Sequence, residues 1–200
     1  MDLISFFPSQ WAKLPSPVRQ FLLKCLLMLL VFETYNLGFE SRYKWLNIPL
    51  TNTVADQTVR VLNFFHPSNL YVRKEVIGTD ITEGVQSYTH ANLILRQHKN
   101  VLYIADACNG LEMQALFIGF ILAIPSLWKR KLLFIMIGPI LIFYVNVLRC
   151  AGLVELRLFY PFHFDFAHHY VFKIIVYSFI FLLWYVFVQN LQPTSRREKE

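Results

Sequence analysis

Ala105-Asp106-Ala107-Cys108-Asn109-Gly110 closes a polar, strand-like segment, and Leu111 opens an almost uninterrupted apolar run of helix length. That junction sets a thiol where the chain enters a membrane. Two later apolar runs place Arg149 at the end of one and His168 at the start of the next. A thiol, a guanidinium and an imidazole are therefore expected at one face of the bilayer, and the chain reads as an integral membrane enzyme built around their meeting point.

Composition supports the membrane reading. The 200 residues are 56% hydrophobic and only 16% charged, where a soluble domain carries about 25% charge. The formal net charge of +6 is dispersed, and no basic run with interleaved aromatics points to nucleic acid. Cys25, Cys108 and Cys150 form neither a CxxC pair nor a metal-ligand spacing, so no disulfide framework is implied. Pro8, Pro15 and Pro17 precede the first apolar run and no small-residue cleavage site follows it, which reads as a retained first span rather than a signal peptide.

Apolar runs near residues 18–35, 111–128, 132–148 and 170–188 predict four spans, since about 20 helical residues cross the hydrocarbon core. The first is the weakest, because Lys24 must snorkel to the interface. Lys129-Arg130-Lys131 reads as a tight basic hinge and Arg196-Arg197-Glu198-Lys199 as a basic tail, which the positive-inside rule places in the cytoplasm. Both termini are then cytoplasmic, and residues 36–107 and 151–168 face outward. Cys108, Arg149 and His168 fall at that outer surface, although none of them entered the orientation argument.

The segment 36–107 is too long for a plain loop and predicts a small folded cap. Val54, Val61, Leu62 and Phe65 recur at helical spacing, with Asp56, Gln57 and Arg60 on the other side. They predict an amphipathic helix over 51–65, lying on the membrane or on the bundle and ended by Pro67. Short β-branched or aromatic stretches at 71–76, 79–85 and 101–107, broken at Gly78, Gly84 and Lys99-Asn100, predict strands.

An ionised cysteine is a strong nucleophile, and a helix N-terminus or a nearby cation lowers its pKa from about 8.5. Cys108 precedes the helix that starts at Leu111, Arg149 can supply fixed positive charge for a developing oxyanion, and His168 can move the proton. That set suits acyl transfer on an amide or ester through a thioacyl intermediate. Each residue also has a plainer reading: Cys108 as a structural thiol, Arg149 as a topological anchor, and Asn146 with Arg149 as a polar pair between packed helices. Asp106 and Glu112 bring negative charge to the thiol, with Asp106 free to cap the helix or pair with Arg149. His163, Asp165, His168 and His169 have the chemistry of metal ligands but lack the HExxH spacing. The same segment also reads as an interfacial aromatic belt with Trp128, Tyr160, Phe162 and Tyr170.

Ala107-Cys108-Asn109-Gly110-Leu111 resembles the A-C-S/N-G motif of the exosortase/archaeosortase family. Asn146-Val147-Leu148-Arg149 resembles its N-x-x-R motif, and His168-His169-Tyr170 its later histidine at the head of the last span. Order, spacing and membrane placement agree over roughly residues 50–190, and the chain is most similar to compact, exosortase F-like bacterial members. The resemblance implies a multi-pass cysteine transpeptidase or protease of the bacterial plasma membrane. Such an enzyme acts on exported proteins whose C-terminal signal comprises a short motif, a transmembrane helix and a basic tail. By the same resemblance Cys108 is the nucleophile, Arg149 the transition-state stabiliser and His168 the acid/base, supported by Asn109, Asn146 and His169. The chain departs from the pattern at Asn109, where many members have Ser. It departs again at His169, and at Phe172 and Lys173, near which a Gly is usual.

The expectation is thus an all-α multi-pass membrane protein, one integral membrane domain over 1–200, with about four transmembrane helices. A small extracytoplasmic β-containing cap and an amphipathic helix complete it. It needs no cofactor, and its partners are the exported substrates and membrane lipid. A metal-dependent hydrolase using residues 163–169 and a non-enzymatic assembly or export partner are the alternatives.

Overall fold

The computed structural model describes residues 14–40, 43–68, 70–82 and 85–189. Trp11, Lys13, Gly84 and the basic tail lie outside them. The chain is mostly helical, with a small three-stranded sheet. Among the described residues three helical segments, Ser16–Gly38, Trp128–Phe159 and Pro161–Gln189, are long and apolar enough to cross a membrane.

Helix α1 (Ser16–Tyr35) begins with Pro17 in its first turn, where a missing N–H costs nothing, and none of its residues is buried within the protein. Helix α2 (Asn47–Phe65) buries Thr51, Val54, Ala55, Thr58 and Leu62. It ends at His66, which leaves the helical region at φ −130° and ψ 67° just ahead of Pro67. The helix packs on the bundle and on the sheet. Phe65 is exposed, and Asp56 pairs with Arg73 of the sheet at 2.7 Å.

The sheet runs β1 (Tyr71–Thr82), β2 (Val85–Arg96), β3 (Lys99–Ala105), antiparallel in that order. It corrects the expected strands: β1 runs straight through Gly78, and the central strand β2 has no counterpart among them. A central strand covered on both sides shows neither alternation nor a pure apolar run. In β2 His90, Asn92, Leu93 and Ile94 are all buried. The β2–β3 loop is Gln97-His98, with φ of 48° and 67°, the left-handed pair that a two-residue hairpin requires. Asn92 and Asn52 share the Arg73 guanidinium at 2.8 and 3.0 Å, which ties α2 to the sheet.

Helix α3 (Leu111–Ala123) has 13 residues, about 20 Å, and falls short of the span expected over 111–128. The cause is local, because Ile124 precedes Pro125 and is extended at ψ 130°. Helix α4 (Trp128–Phe159) has 32 residues, about 48 Å, far beyond the expected 132–148 and beyond a hydrocarbon core of about 30 Å. Asn146, Arg149 and Glu155 interrupt the apolar run, but Asn146 and Arg149 are buried against protein, so the helix continues. Lys129-Arg130-Lys131 is the first turn of α4 rather than a hinge. Lys131 Nζ donates to the Leu122 carbonyl at 2.9 Å, and the Arg130 guanidinium donates to the carbonyls of Val186 and Phe187. These cations cap the C-terminal ends of two helices, where the backbone leaves acceptors unpaired. Short helical turns over Pro161–Val171 lead into α5 (Phe172–Gln189).

Two cores share α4. One joins Phe117 and Ile121 of α3, Ile142 of α4 and Val176, Ile180 and Phe187 of α5. The other joins Val54, Ala55 and Leu62 of α2, Tyr71, Ile94 and Ile104 of the sheet, and Val147, Cys150, Ala151 and Val154 of α4. Burial and the nearby Glu155 carboxylate hold the Tyr71 phenol above its ordinary pKa.

Candidate active site

Between β3 and α3 the chain makes a single 3-10 turn, Asp106–Cys108, followed by Asn109 and by Gly110 at φ 83°. Only glycine adopts that left-handed conformation cheaply, and a Cβ there would sit in contact with Asn146 at 3.4 Å. The expected strand-to-helix junction is present, and polar groups pin it from three sides. Asn146 Nδ2 of α4 donates to the Cys108 carbonyl at 2.8 Å. Asn109 Nδ2 donates to Asn47 Oδ1 of α2 at 2.6 Å and to Thr51 Oγ1 at 3.2 Å, while its Oδ1 accepts the Leu111 N–H at 2.8 Å.

Asp106 neither caps α3 nor pairs with Arg149. Its carboxylate accepts from Thr51 Oγ1 at 2.9 Å and pairs with Lys44 Nζ at 3.0 Å. His90 Nδ1 lies 3.4 Å from Asp106 Oδ1, and His90 Nε2 lies 2.8 Å from Glu75 Oε1. A chain of Glu75, His90, Asp106 and Lys44, largely buried at His90 and Asp106 and exposed at Glu75, thus runs behind the thiol-bearing turn. Sequence reasoning missed Lys44, Asn47, Thr51 and His90. No spacing signals them, because each reaches the turn across the fold.

Cys108 and His168 line one cavity of about 620 Å³, whose walls are β3, the C-terminal part of α4, and Phe164 with Asp165. Arg149 does not line it. The guanidinium is buried beside it, lines two neighbouring cavities of about 200 and 560 Å³, and joins the turn through Asn146, whose Oδ1 accepts from Arg149 at 3.2 Å. The polar pair expected from the i, i+3 spacing is therefore present, and Asn146 bridges Arg149 to the Cys108 backbone. Arg149 Nε is buried without a hydrogen-bond partner among the described residues.

His168 stacks on Phe164 with ring centroids 5.7 Å apart. The exposed His169 places Nδ1 2.9 Å from the Asp165 carbonyl and stays out of the cavity. Among the described residues no three His, Cys, Asp or Glu side chains gather to hold a metal ion, and His163, Asp165, His168 and His169 spread over successive helical turns. The expected aromatic belt does not form as one ring either. Trp128 opens α4 and Tyr160 follows its last residue, which puts a helix of about 48 Å between them.

A model of the transmembrane exosortase family (Exosortase_EpsH) matches residues 11–189. The chain belongs to that family. No curated protein and no solved structure matches it. Family membership together with the three long apolar helices makes it a membrane protein of the exosortase kind, a family of sorting-signal-processing proteins.

Proposed function

We propose that this exosortase-family protein is a membrane cysteine protease or transpeptidase that cleaves the C-terminal sorting signals of exported proteins. It works at the outer face of the bacterial plasma membrane, with both termini in the cytoplasm. The observation that carries the reading is the cavity that Cys108 and His168 share, with Arg149 tied through Asn146 to the backbone of the same turn.

His168 takes the proton of the Cys108 thiol, and Sγ attacks the scissile carbonyl carbon as the C=O pair moves onto oxygen. Arg149, buried beside that cavity rather than in its wall, is the donor assigned to this oxyanion once substrate is bound, where one donor contributes about 3–4 kcal/mol. Collapse breaks the C–N bond. The leaving amine takes the proton held by His168, and a thioester remains on Cys108. Water or an acceptor amine then attacks, passes its proton through His168 to the sulfur, and breaks the C–S bond. Asn146 is a positioning residue that keeps Arg149 and the Cys108 backbone in register. His168 is favoured over His169 because only His168 faces the thiol's cavity. The reaction needs no cofactor.

The decisive test compares native cells carrying wild-type protein or Cys108→Ala and reads the C-termini of exported proteins with a terminal transmembrane helix and basic tail. A defined set should keep its tails only in the mutant. Unchanged C-termini at normal Cys108→Ala protein level would sink the protease reading and favour a non-enzymatic assembly role.

A further inference from the structure

Five successive residues of β3, Asn100 to Ile104, line the cavity that holds Cys108 and His168. Side chains alternate between the two faces of a strand, so one face supplies only every second residue. Five in succession border one cavity when it runs along the strand's edge, where backbone N–H and C=O groups point. β3 is an edge strand: it pairs with β2 alone, and among the described residues no strand lies on its other side. Free edges are ready templates for a further strand, and proteins ordinarily blunt or cover them. This one opens into a half-open groove beside a thiol three residues past the strand's end.

We propose that the stretch of substrate chain adjoining the scissile bond binds as an extended strand along β3, adding a fourth strand to the sheet. This deepens the reading of Cys108 as nucleophile and rests on it. Five strand residues span about 17 Å, room for a peptide of similar length, and the cavity's volume is that of an ordinary ligand site. Main-chain pairing supplies affinity whatever the side chains, while alternate substrate side chains meet Arg157 and Asp165 on the facing wall. The sheet's register shows which backbone groups do the pairing. The Lys99 N–H closes the two-residue turn onto Arg96, and bonded and non-bonded pairs alternate from there along β2. Leu93↔Tyr103 is a non-bonded pair, so the Tyr103 N–H and C=O face the free edge. A bulge between Ile94 and Leu95 leaves Val101 with no partner opposite, the kind of local kink that re-aims a strand beside a site.

The first test uses the C-terminal readout in native cells. Tyr103→Pro removes the edge N–H but no ladder bond, whereas Tyr103→Ala removes only the side chain. Processing should fall at least tenfold further in Tyr103→Pro than in Tyr103→Ala. Normal protein level and an unchanged rate of Cys108 carboxymethylation by iodoacetamide serve as the fold control. Equal processing by both variants overturns the proposal.

The second test covers a misfolded Tyr103→Pro. Full-length Cys108→Ala protein in detergent is mixed with a synthetic peptide spanning the cleavage site of a protein whose tail that mutant retains. Amide hydrogen exchange of β3 should slow at least tenfold at Tyr103 while α1 is unaffected. Peptide binding without that protection, no binding, or equal protection without peptide, as from a lodged acyl chain, each overturns the strand pairing. Tails lost equally in wild-type and Cys108→Ala cells would instead be a failure of the underlying protease reading.

Discussion

The two ends of α4 pack by different rules. Beyond the first-turn cations, from Leu132 to about Phe143, its buried contacts are carbon on carbon, with Gly138 seated under the Phe117 ring and Ile142 against α3 and α5. From Asn146 to Phe159 the same helix meets α2 and the sheet, and there it buries Asn146 and Arg149 and hydrogen-bonds the thiol-bearing turn. In lipid, helices gain little from hiding apolar surface, so the first end depends on close fit. The second end forms a core of ordinary hydrophobic burial and adds a polar chain that must be satisfied. Substitutions of different kinds should therefore break the two ends.

The largest effect belongs to the second end. Arg149→Lys keeps a positive charge but loses the planar fork that donates to Asn146. Processing of tailed substrates should drop by about 100-fold or more, the usual loss when one oxyanion donor goes, with the protein still present at normal level. Processing within threefold of wild type would remove Arg149 from the chemistry and leave it an anchor.

At the first end, Gly138→Ala places a Cβ into the Phe117 ring. Overpacking of this kind costs about 1–3 kcal/mol, seen as a lower unfolding temperature of the purified protein in detergent. Cys108 carboxymethylation in the folded fraction should not change, and Phe117→Leu added to Gly138→Ala should recover stability. A changed thiol rate would mean that the two ends are mechanically coupled and that the division drawn here is too sharp.

The same contrast explains what was legible in the sequence. Hydropathy found the lipid-facing run of α4, the last helix and α1, because lipid imposes one simple requirement on a span. It expected Arg149 and His168 at the ends of such runs, and the switch from a polar, strand-like segment to the apolar run at Leu111 put Cys108 on a junction. It lost α4 beyond Leu148, because Asn146 and Arg149 look like an exit to water when they are in fact turned into protein. It overran α3, where Pro125 outranks apolar character. The central strand β2 was hidden because His90 and Asn92 are buried polar residues whose partners, Glu75, Asp106, Arg73 and Asn52, are distant in sequence.

A smaller effect tests the polar chain itself. Thr51→Val keeps the side-chain shape but removes the hydroxyl that donates to Asp106 and accepts from Asn109. The loss should be about 1–3 kcal/mol, with two partners left short in a buried place. Unlike Gly138→Ala, it should also alter the Cys108 carboxymethylation rate, because both partners flank the thiol. An unchanged rate would show that the Thr51 hydroxyl does not set the position of the thiol-bearing turn.

The smallest effect concerns Asn109. Its oxygen serves the first amide of α3 and its nitrogen reaches back to Asn47 and Thr51, so one side chain joins the turn to two helices. A serine is long enough for the nearby Leu111 N–H and too short for Asn47. Asn109→Ser should therefore keep processing within about fivefold and lose about 1 kcal/mol of stability, the net worth of a typical hydrogen bond. Asn109→Ala, which loses the amide acceptor as well, should be the less stable of the two. If serine instead proves as costly as alanine, then the link to α2, rather than the start of α3, is what Asn109 supplies, and the thiol-bearing turn is held chiefly from the sheet-and-α2 side.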